Sequence, residues 1–500
     1  FSVFRVYAAA DGTTPADYSP ENVPYRAPVH LTVSAKGYKD GDFTMIMGFP
    51  GTTTRYMTTY EIDEMLDVAN PNRILIRGER QKILKEDMEA SDRVRIQYSD
   101  KYANSSNYWK NSIGKSKAVR KLGIRDRRQE QEAAFTRWVQ ADPARSEYLR
   151  ALPLIAASKE VSVPLESDRQ VLREAIVSSV EVASIAAVLS RALPDLLSAE
   201  PLAAEETIAA VYKDYNEPTD RKVAKRMIEL TMEMVSPDNM PEFITTEVEG
   251  RFGGDVQAYV DWLYDNSIYA NREKLESYLA GGGELPADDP ALMVFNTTVA
   301  KHNGLVEQLR EPAMQFAEGH KLYIKGLLEM DADGKHYPDA NFTIRLTYGN
   351  VKSYSPADAV DYDYFTTLTG VMEKEDELNP TEFTVPEKLK ELYIEQDYGP
   401  YADLSGLTRK EIRNGAKGHV NTCFISTNDI TGGNSGSPVL NDRGQLIGLA
   451  FDGNWDAMSG DVLFEPELQR CINVDVRYVL FVIDKFAGAG HLLDEMTIEW

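Results

Sequence analysis

The sequence predicts an α+β fold in which strand-rich segments at the two ends of the chain enclose a long, purely helical insertion. The period of the apolar residues changes twice. Up to about Tyr60 they alternate or run together over five to eight residues between Gly and Pro; from Glu61 to Leu328 they recur three and four apart; from about His336 short apolar runs return. Strand-rich pieces that each have a face to bury can bury it against one another, so residues 1–60 and 329–500 are expected to form one β architecture interrupted by a helical domain over 61–328.

In chain order, "FSVFRVYAA", "VHLTVSA" and "DFTMIMGFPG" read as the first strands. The insertion shows stripes such as Leu172, Ala175, Ile176, Ser179, Val182, Ala183, Ala186 and Leu189, broad enough to face a core as one helix face. Asp238, Pro241 and the "GGGELPADDP" stretch from Gly281 mark breaks between helices, and no repeat period is present. Strands are expected again at "NFTIRLTYGNV", "FTTLTGVM", "VNTCFIST", "SPVLNDRGQLIGLAF" and "CINVDVRYVLFVIDKF", followed by a helix-like piece ending at Trp500.

Five hundred residues can bury a core without metals or disulfides. Lys plus Arg number 54 against 79 Asp plus Glu, and 54 − 79 = −25 disfavours nucleic acid and anionic membrane surfaces as partners. No apolar run reaches the 18 residues of a membrane span. Cys423 and Cys471 are either two buried thiols or one bridge; their spacing suits no zinc site. Phe1 lies within a strand-like run that no methionine, basic region or apolar leader precedes, so the true amino terminus is expected further upstream.

Several apparent motifs fail on spacing. "NSIGKSK" has Trp109 where a phosphate-binding loop needs its first glycine. "DADGKHYPDAN" offers Asp331 and Asp333 but no third ligand before Gly334, so it reads as a turn. "GAGHLL" lacks the third glycine of a dinucleotide site. His30, His302, His320, His336, His419 and His491 show neither HxxxH nor HExxH spacing, so neither a metal nor a cofactor is expected.

One motif holds. In "GGNSGSPV", Ser435 stands between Gly433 and Gly436. Glycines permit the turn that thrusts a serine hydroxyl outward while two backbone N–H groups converge to stabilise an oxyanion. This stretch resembles the nucleophile region of chymotrypsin-clan serine peptidases, whose following hairpin strand lines the substrate pocket. Asp429, six residues before Ser435, invites a trypsin-like reading, although an aspartate there can equally satisfy backbone N–H groups in an Asx-turn.

Seven ordered blocks, "DFTMIMGFPGTTTRY", "NSSNYWKN", "YPDANFTIRLTYGNV", "TTLTGVMEKE", "STNDITGGNSGSPV", "GLAFDGNWDAM" and "HLLDEM", carry a narrower resemblance to the dipeptidyl aminopeptidases of serine peptidase family 46. That resemblance implies a chymotrypsin-like double β-barrel, its first barrel partial here, with the helical insertion capping the cleft. It further implies a bacterial enzyme of the periplasm or cell surface, a homodimer that acts on oligopeptides without a metal. On the matching positions, Ser435 is the nucleophile and Gly433 with Ser435 supplies the oxyanion hole. Asn107 and Asp452 bind the substrate's amino group, with Asn104 and Asn111 as alternative registers for the amide. The triad order of the family is His, Asp, Ser, and "FSVFRVY" resembles the strand directly after the Asp; none of the six histidines then inherits the role of base, and this stretch alone is expected to be inactive. Gly453 resembles the pocket position where arginine accompanies cleavage after acidic residues and glycine cleavage after bulky apolar ones, so glycine implies an unobstructed apolar pocket. An acidic preference, an endopeptidase of the same clan and a noncatalytic binding protein are the alternatives.

Overall fold

A computed structural model describes residues 3–282, 284–379 and 383–500. The chain divides into two compact units, Phe1–Arg55 with Tyr337–Trp500, and Tyr56–His336.

The first unit is built on a nine-stranded sheet. Its main path runs Arg345–Asn350, Phe43–Gly48, Pro438–Leu440, Leu446–Gly453, Cys471–Asp475, Asn421–Ser426, Phe365–Thr367, every neighbouring pair antiparallel. Val33–Ser34 adds parallel pairings to Leu446–Gly453 and to Ile498–Glu499. A bridge between Val351 and Ser426, with Thr427 N–H donating to Asn350 at 2.9 Å, draws the first strand to the sixth, so the path curls back on itself. Alternation along Phe43–Gly48 buries Thr44, Ile46 and Gly48. Ile46, Val439, Ala450 and Phe424 fill the interior of the curl, each large apolar side chain contributing about 1.5–3 kcal/mol. Strands Tyr7–Ala8 and Val23–Pro24 pair only with each other. Among the described residues there is thus one curled sheet, and the expected double barrel is not established.

Several expected strands are shorter or change type. Of "FSVFRVYAA" only Tyr7–Ala8 is strand; Phe1 and Ser2 lie outside the described residues, and Val3, Phe4 and Val6 are exposed. "VHLTVSA" contracts to Val33–Ser34. "FTTLTGVM" turns from strand to helix at Leu368, and "CINVDVRYVLFVIDKF" does so at Val476. There Asp475 caps the helix by accepting from Arg477 N–H, and Val476 and Leu480, four apart, turn inward. The chain ends in strand Ile498–Glu499, not in a helix. Helix Glu387–Glu395, with Leu389 and Leu392 buried, was hidden inside the zone read as strands.

Entry to and exit from the second unit run side by side in the first. Thr52 bridges Asn341, and Asp339 accepts from the Thr53 hydroxyl at 2.6 Å and from Arg55 N–H at 2.9 Å.

The second unit is helical. Asn70–Ala90 packs against Asp92–Lys121, the longest helix, whose N-cap Ser91 accepts from Val94 N–H. The stripe from Leu172 to Leu189 is buried as expected but belongs to two segments, Leu172–Val177 and Glu181–Ala199. The helical stretches on either side of residues 178–180 meet at 79°. Asp220 explains the break: its carboxylate accepts from the N–H groups of Glu181 and Val182, both at 2.8 Å, and starts the second helix. The glycine-rich break is as read, with Arg272–Ala280 ending before it and Pro290–Gln308 starting after Asp289, whose side chain accepts from Ala291 N–H. Among the described residues no single helix is long and apolar enough to cross a membrane; one bent pair passes that test only when its two helices are taken together.

Candidate functional site

The turn carrying Ser435 is held by backbone bonds on all sides. Asn434 N–H donates to Thr431, Ser437 N–H to Asn434, Gly436 N–H to Ala450 at 2.6 Å, and Ala450 N–H back to Ser437 at 2.9 Å. Gly433 and Gly436 take φ of 104° and 83°, backbone conformations that glycine adopts without penalty. Gly433 is constrained twice, because a Cβ there would lie 2.4 Å from the Phe49 carbonyl oxygen. The same approach lets Gly51 N–H donate to Gly432 at 2.6 Å, stapling the turn to the end of strand Phe43–Gly48. Ser435 is exposed while Asn434 and Ser437 on either side are buried. Among the described residues the N–H groups of Gly433 and Ser435 make no hydrogen bond within the protein. An outward hydroxyl beside two uncommitted donors is the arrangement that acyl transfer requires.

Asp452 and Gly453 end the strand that follows. The register with Cys471–Asp475 shifts between Ala450 and Asp452, a bulge that re-aims Asp452. Asp452 is exposed, and its Oδ1 accepts from Gly453 N–H at 2.8 Å. The space beside Gly453 is not the unobstructed volume expected. A Cβ there would meet Ala457 Cβ at 2.9 Å, with the Arg470 carbonyl at 3.7 Å and Met458 Cε at 3.9 Å.

Asp429 serves neither as a trypsin-like pocket carboxylate nor as an Asx-turn. It forms a bidentate pair with Arg55, Nη1 to Oδ2 at 2.6 Å and Nη2 to Oδ1 at 2.8 Å, while Arg55 Nε donates to the Gly460 carbonyl. The negative charge is spent inside the protein. Cys423 and Cys471 are both free thiols, so the bridge is excluded. Burial pushes both thiols up, away from thiolate reactivity.

None of the histidines bonds to Ser435 among the described residues. His30 meets Thr497 Oγ1 at 2.9 Å, His320 the Tyr56 carbonyl, His336 that of Asp331, and His419 stacks on Phe365. Asn104, Asn107 and Asn111, three and four apart, share one face of Asp92–Lys121 in the helical unit, so Asn107 is no cap. Asn104 lines a cavity with Arg77, Lys101 and Glu181, and Asn111 already has a partner. Asn107 is exposed and makes no side-chain bond among the described residues. Sequence reasoning missed Arg55, because its partner lies 374 residues away.

The Peptidase S46 family profile matches residues 1–498. A protein of Phocaeicola vulgatus named dipeptidyl-peptidase 7 is 46% identical over 507 residues, covering 100% of this chain and 68% of that protein. The Asp/Glu-specific dipeptidyl-peptidase of Porphyromonas gingivalis is 38% identical, covering 100% and 68%. A crystal structure of Porphyromonas endodontalis DPP11 in complex with the dipeptide Arg-Glu matches with a TM-score of 0.87 at 34% identity, covering 99% of this chain and 70% of that one. These matches give no support to the expectation that the present stretch is inactive by itself.

Proposed function

Because the chain belongs to the Peptidase S46 family, we propose that it is a serine-type peptidase that releases dipeptides from the free amino termini of oligopeptides, with Ser435 as nucleophile. The observation that carries this reading is the exposed Ser435 between two left-handed glycines, with the N–H groups of Gly433 and Ser435 unclaimed among the described residues. In the reaction Ser435 Oγ attacks the carbonyl of the substrate's second residue as a general base takes the hydroxyl proton, and the two N–H groups hold the oxyanion; the proton then passes to the leaving amine as the C–N bond breaks, and water hydrolyses the acyl-enzyme to free the dipeptide. Asp452 receives the substrate's ammonium through charge-assisted hydrogen bonds, which fixes the amino terminus two residues from the scissile bond. Ser435→Ala is expected to abolish release of dipeptidyl fluorophores while leaving the thermal melt unchanged. Turnover that survives this substitution would move the nucleophile elsewhere.

For the residue before the scissile bond, an acidic preference has better support from the relatives than the bulky apolar preference expected from Gly453. Several relatives are named Asp/Glu-specific, and matching structures hold Arg-Glu and Arg-Asp. A specific observation favours the apolar reading. Position 453 carries no cation, its neighbours Ala457 and Met458 are apolar, and an acidic side chain desolvated there would need a positive partner. A panel of dipeptidyl substrates varied only at the second residue separates the two: cleavage after Glu or Asp at least as fast as after Leu or Phe retains the acidic reading, and the reverse retains the apolar one.

A further inference from the structure

Arg470 is 1% exposed, and among the described residues no carboxylate pairs with it. Its guanidinium instead donates to five backbone carbonyls: Nε to Lys352 at 3.0 Å, Nη1 to Pro466 at 2.7 Å and Gln469 at 2.8 Å, Nη2 to Ser353 at 2.9 Å and Glu467 at 3.3 Å. It also lies 5.4 Å from the ring of Tyr354. A buried cation without an anion is costly, and only a side chain with five donors in a fixed fork can compensate by gathering several carbonyls at once.

The carbonyls come from two places, the chain leaving strand Arg345–Asn350 and the loop that leads to strand Cys471–Asp475. The main chain of Arg470 completes the join. Its N–H donates to Asn454 Oδ1 at 3.0 Å, and its carbonyl accepts from Asn454 N–H at 3.1 Å. Asn454 in turn donates through Nδ2 to Leu468 and accepts through Oδ1 from Ala457 N–H. Of the atoms nearest a Cβ at Gly453, the Arg470 carbonyl belongs to the main chain that this side chain anchors, and Ala457 is tied to the same main chain through Asn454.

We propose that Arg470 is a positioning residue that sets the shape of the pocket beside Gly453, and thereby the choice of the substrate's second residue, without touching substrate. The inference rests on the dipeptidyl-peptidase reading and deepens it. Lysine has three donors in a different geometry and cannot hold both segments, so the main chain at Arg470, with Asn454 and then Ala457 bonded in series to it, loses its fixed distance from Gly453.

The test uses the full-length enzyme and the same substrate panel, with Arg470→Lys, Arg470→Met and Asn454→Ser. The last variant opens the clasp without exposing a buried charge, and so reports even where an Arg470 variant fails to fold. The expected result is that the ratio of kcat/KM between the preferred and disfavoured second residues falls at least tenfold. That loss appears mainly in KM, while kcat on the preferred substrate changes less than threefold. A merely structural role lowers Tm and scales all substrates alike. Ratios within twofold of the unmutated enzyme in every folded variant overturn the inference and leave the dipeptidyl-peptidase reading standing. An unmutated enzyme that releases no dipeptide overturns both.

Discussion

At Gly433 the backbone leaves no room for a methyl group, since φ is 104° and the Phe49 carbonyl occupies the Cβ position. Gly433→Ala therefore has to displace one of the two uncommitted N–H donors. Loss of such a donor costs kcat about 10²–10³-fold, roughly 2.7–4 kcal/mol; steady-state kinetics on a fold verified by its melt measures it. Asp452→Asn removes the charge from the proposed ammonium contact, worth about 1.5–3 kcal/mol, so kcat/KM is expected to fall about tenfold or more, and amino-acetylated substrates to fail with either enzyme. Gly453→Arg alone drives its Cβ into Ala457, so the informative variant pairs it with Ala457→Gly. The double variant is expected to shift the panel toward Asp and Glu, and unchanged selectivity would remove Gly453 from the pocket. Ser435 and its glycines were legible in the sequence because a turn is written in consecutive residues. Asp429 was not, because the guanidinium that neutralises it is 374 positions away, and neither was the crowding beside Gly453, which depends on the path of the following loop.

Helices and strands were legible by period wherever the period lasted. Boundaries were misread where a capping carboxylate decided them. Asp220 splits the stripe from Leu172 to Leu189 from 39 residues away, and Asp475 ends one element and caps the next. Asp475 also accepts from Tyr38 OH at 2.7 Å and from Arg477 Nη2 at 2.7 Å, and both ion-pair partners are buried. Its loss takes the acceptor from Tyr38 and leaves the buried Arg477 with Asp403 alone, so Asp475→Ala is expected to destabilise the sheet unit by about 3 kcal/mol. Denaturant titration followed by an optical probe of that unit reads the loss, and a change under 1 kcal/mol would mean that water reaches Arg477.

The sheet unit has a pH signature. Burial alone would raise the Asp403 carboxyl, but hydrogen bonds from Ser405 and the Arg477 guanidinium, Nη1 at 3.0 Å, outweigh it and hold the group below its ordinary range. A depressed carboxyl contributes stability that is complete above its unfolded value, about 3.9, and is lost as pH falls through the lower folded value. Acid is therefore expected to release the sheet unit, and Asp403→Asn to lower Tm at pH 7 while flattening its fall between pH 5 and 3. Parallel curves for the two proteins would leave Asp403 without a part in acid lability. The bridge between Thr52 and Asn341 has a consequence of another kind. From Tyr56 through His336 the chain has 336 − 56 + 1 = 281 residues, yet the sheet experiences them as a hairpin connection. A flexible segment of that length would cost about 4 kcal/mol more to close than a four-residue turn, a cost avoided when the inserted body folds with its own ends together. The helical body is thus an exchangeable cassette: a short Gly-containing turn joining Arg55 to Tyr337 is expected to leave a sheet unit that still folds, and a foreign body with adjacent termini can be spliced in at the same point.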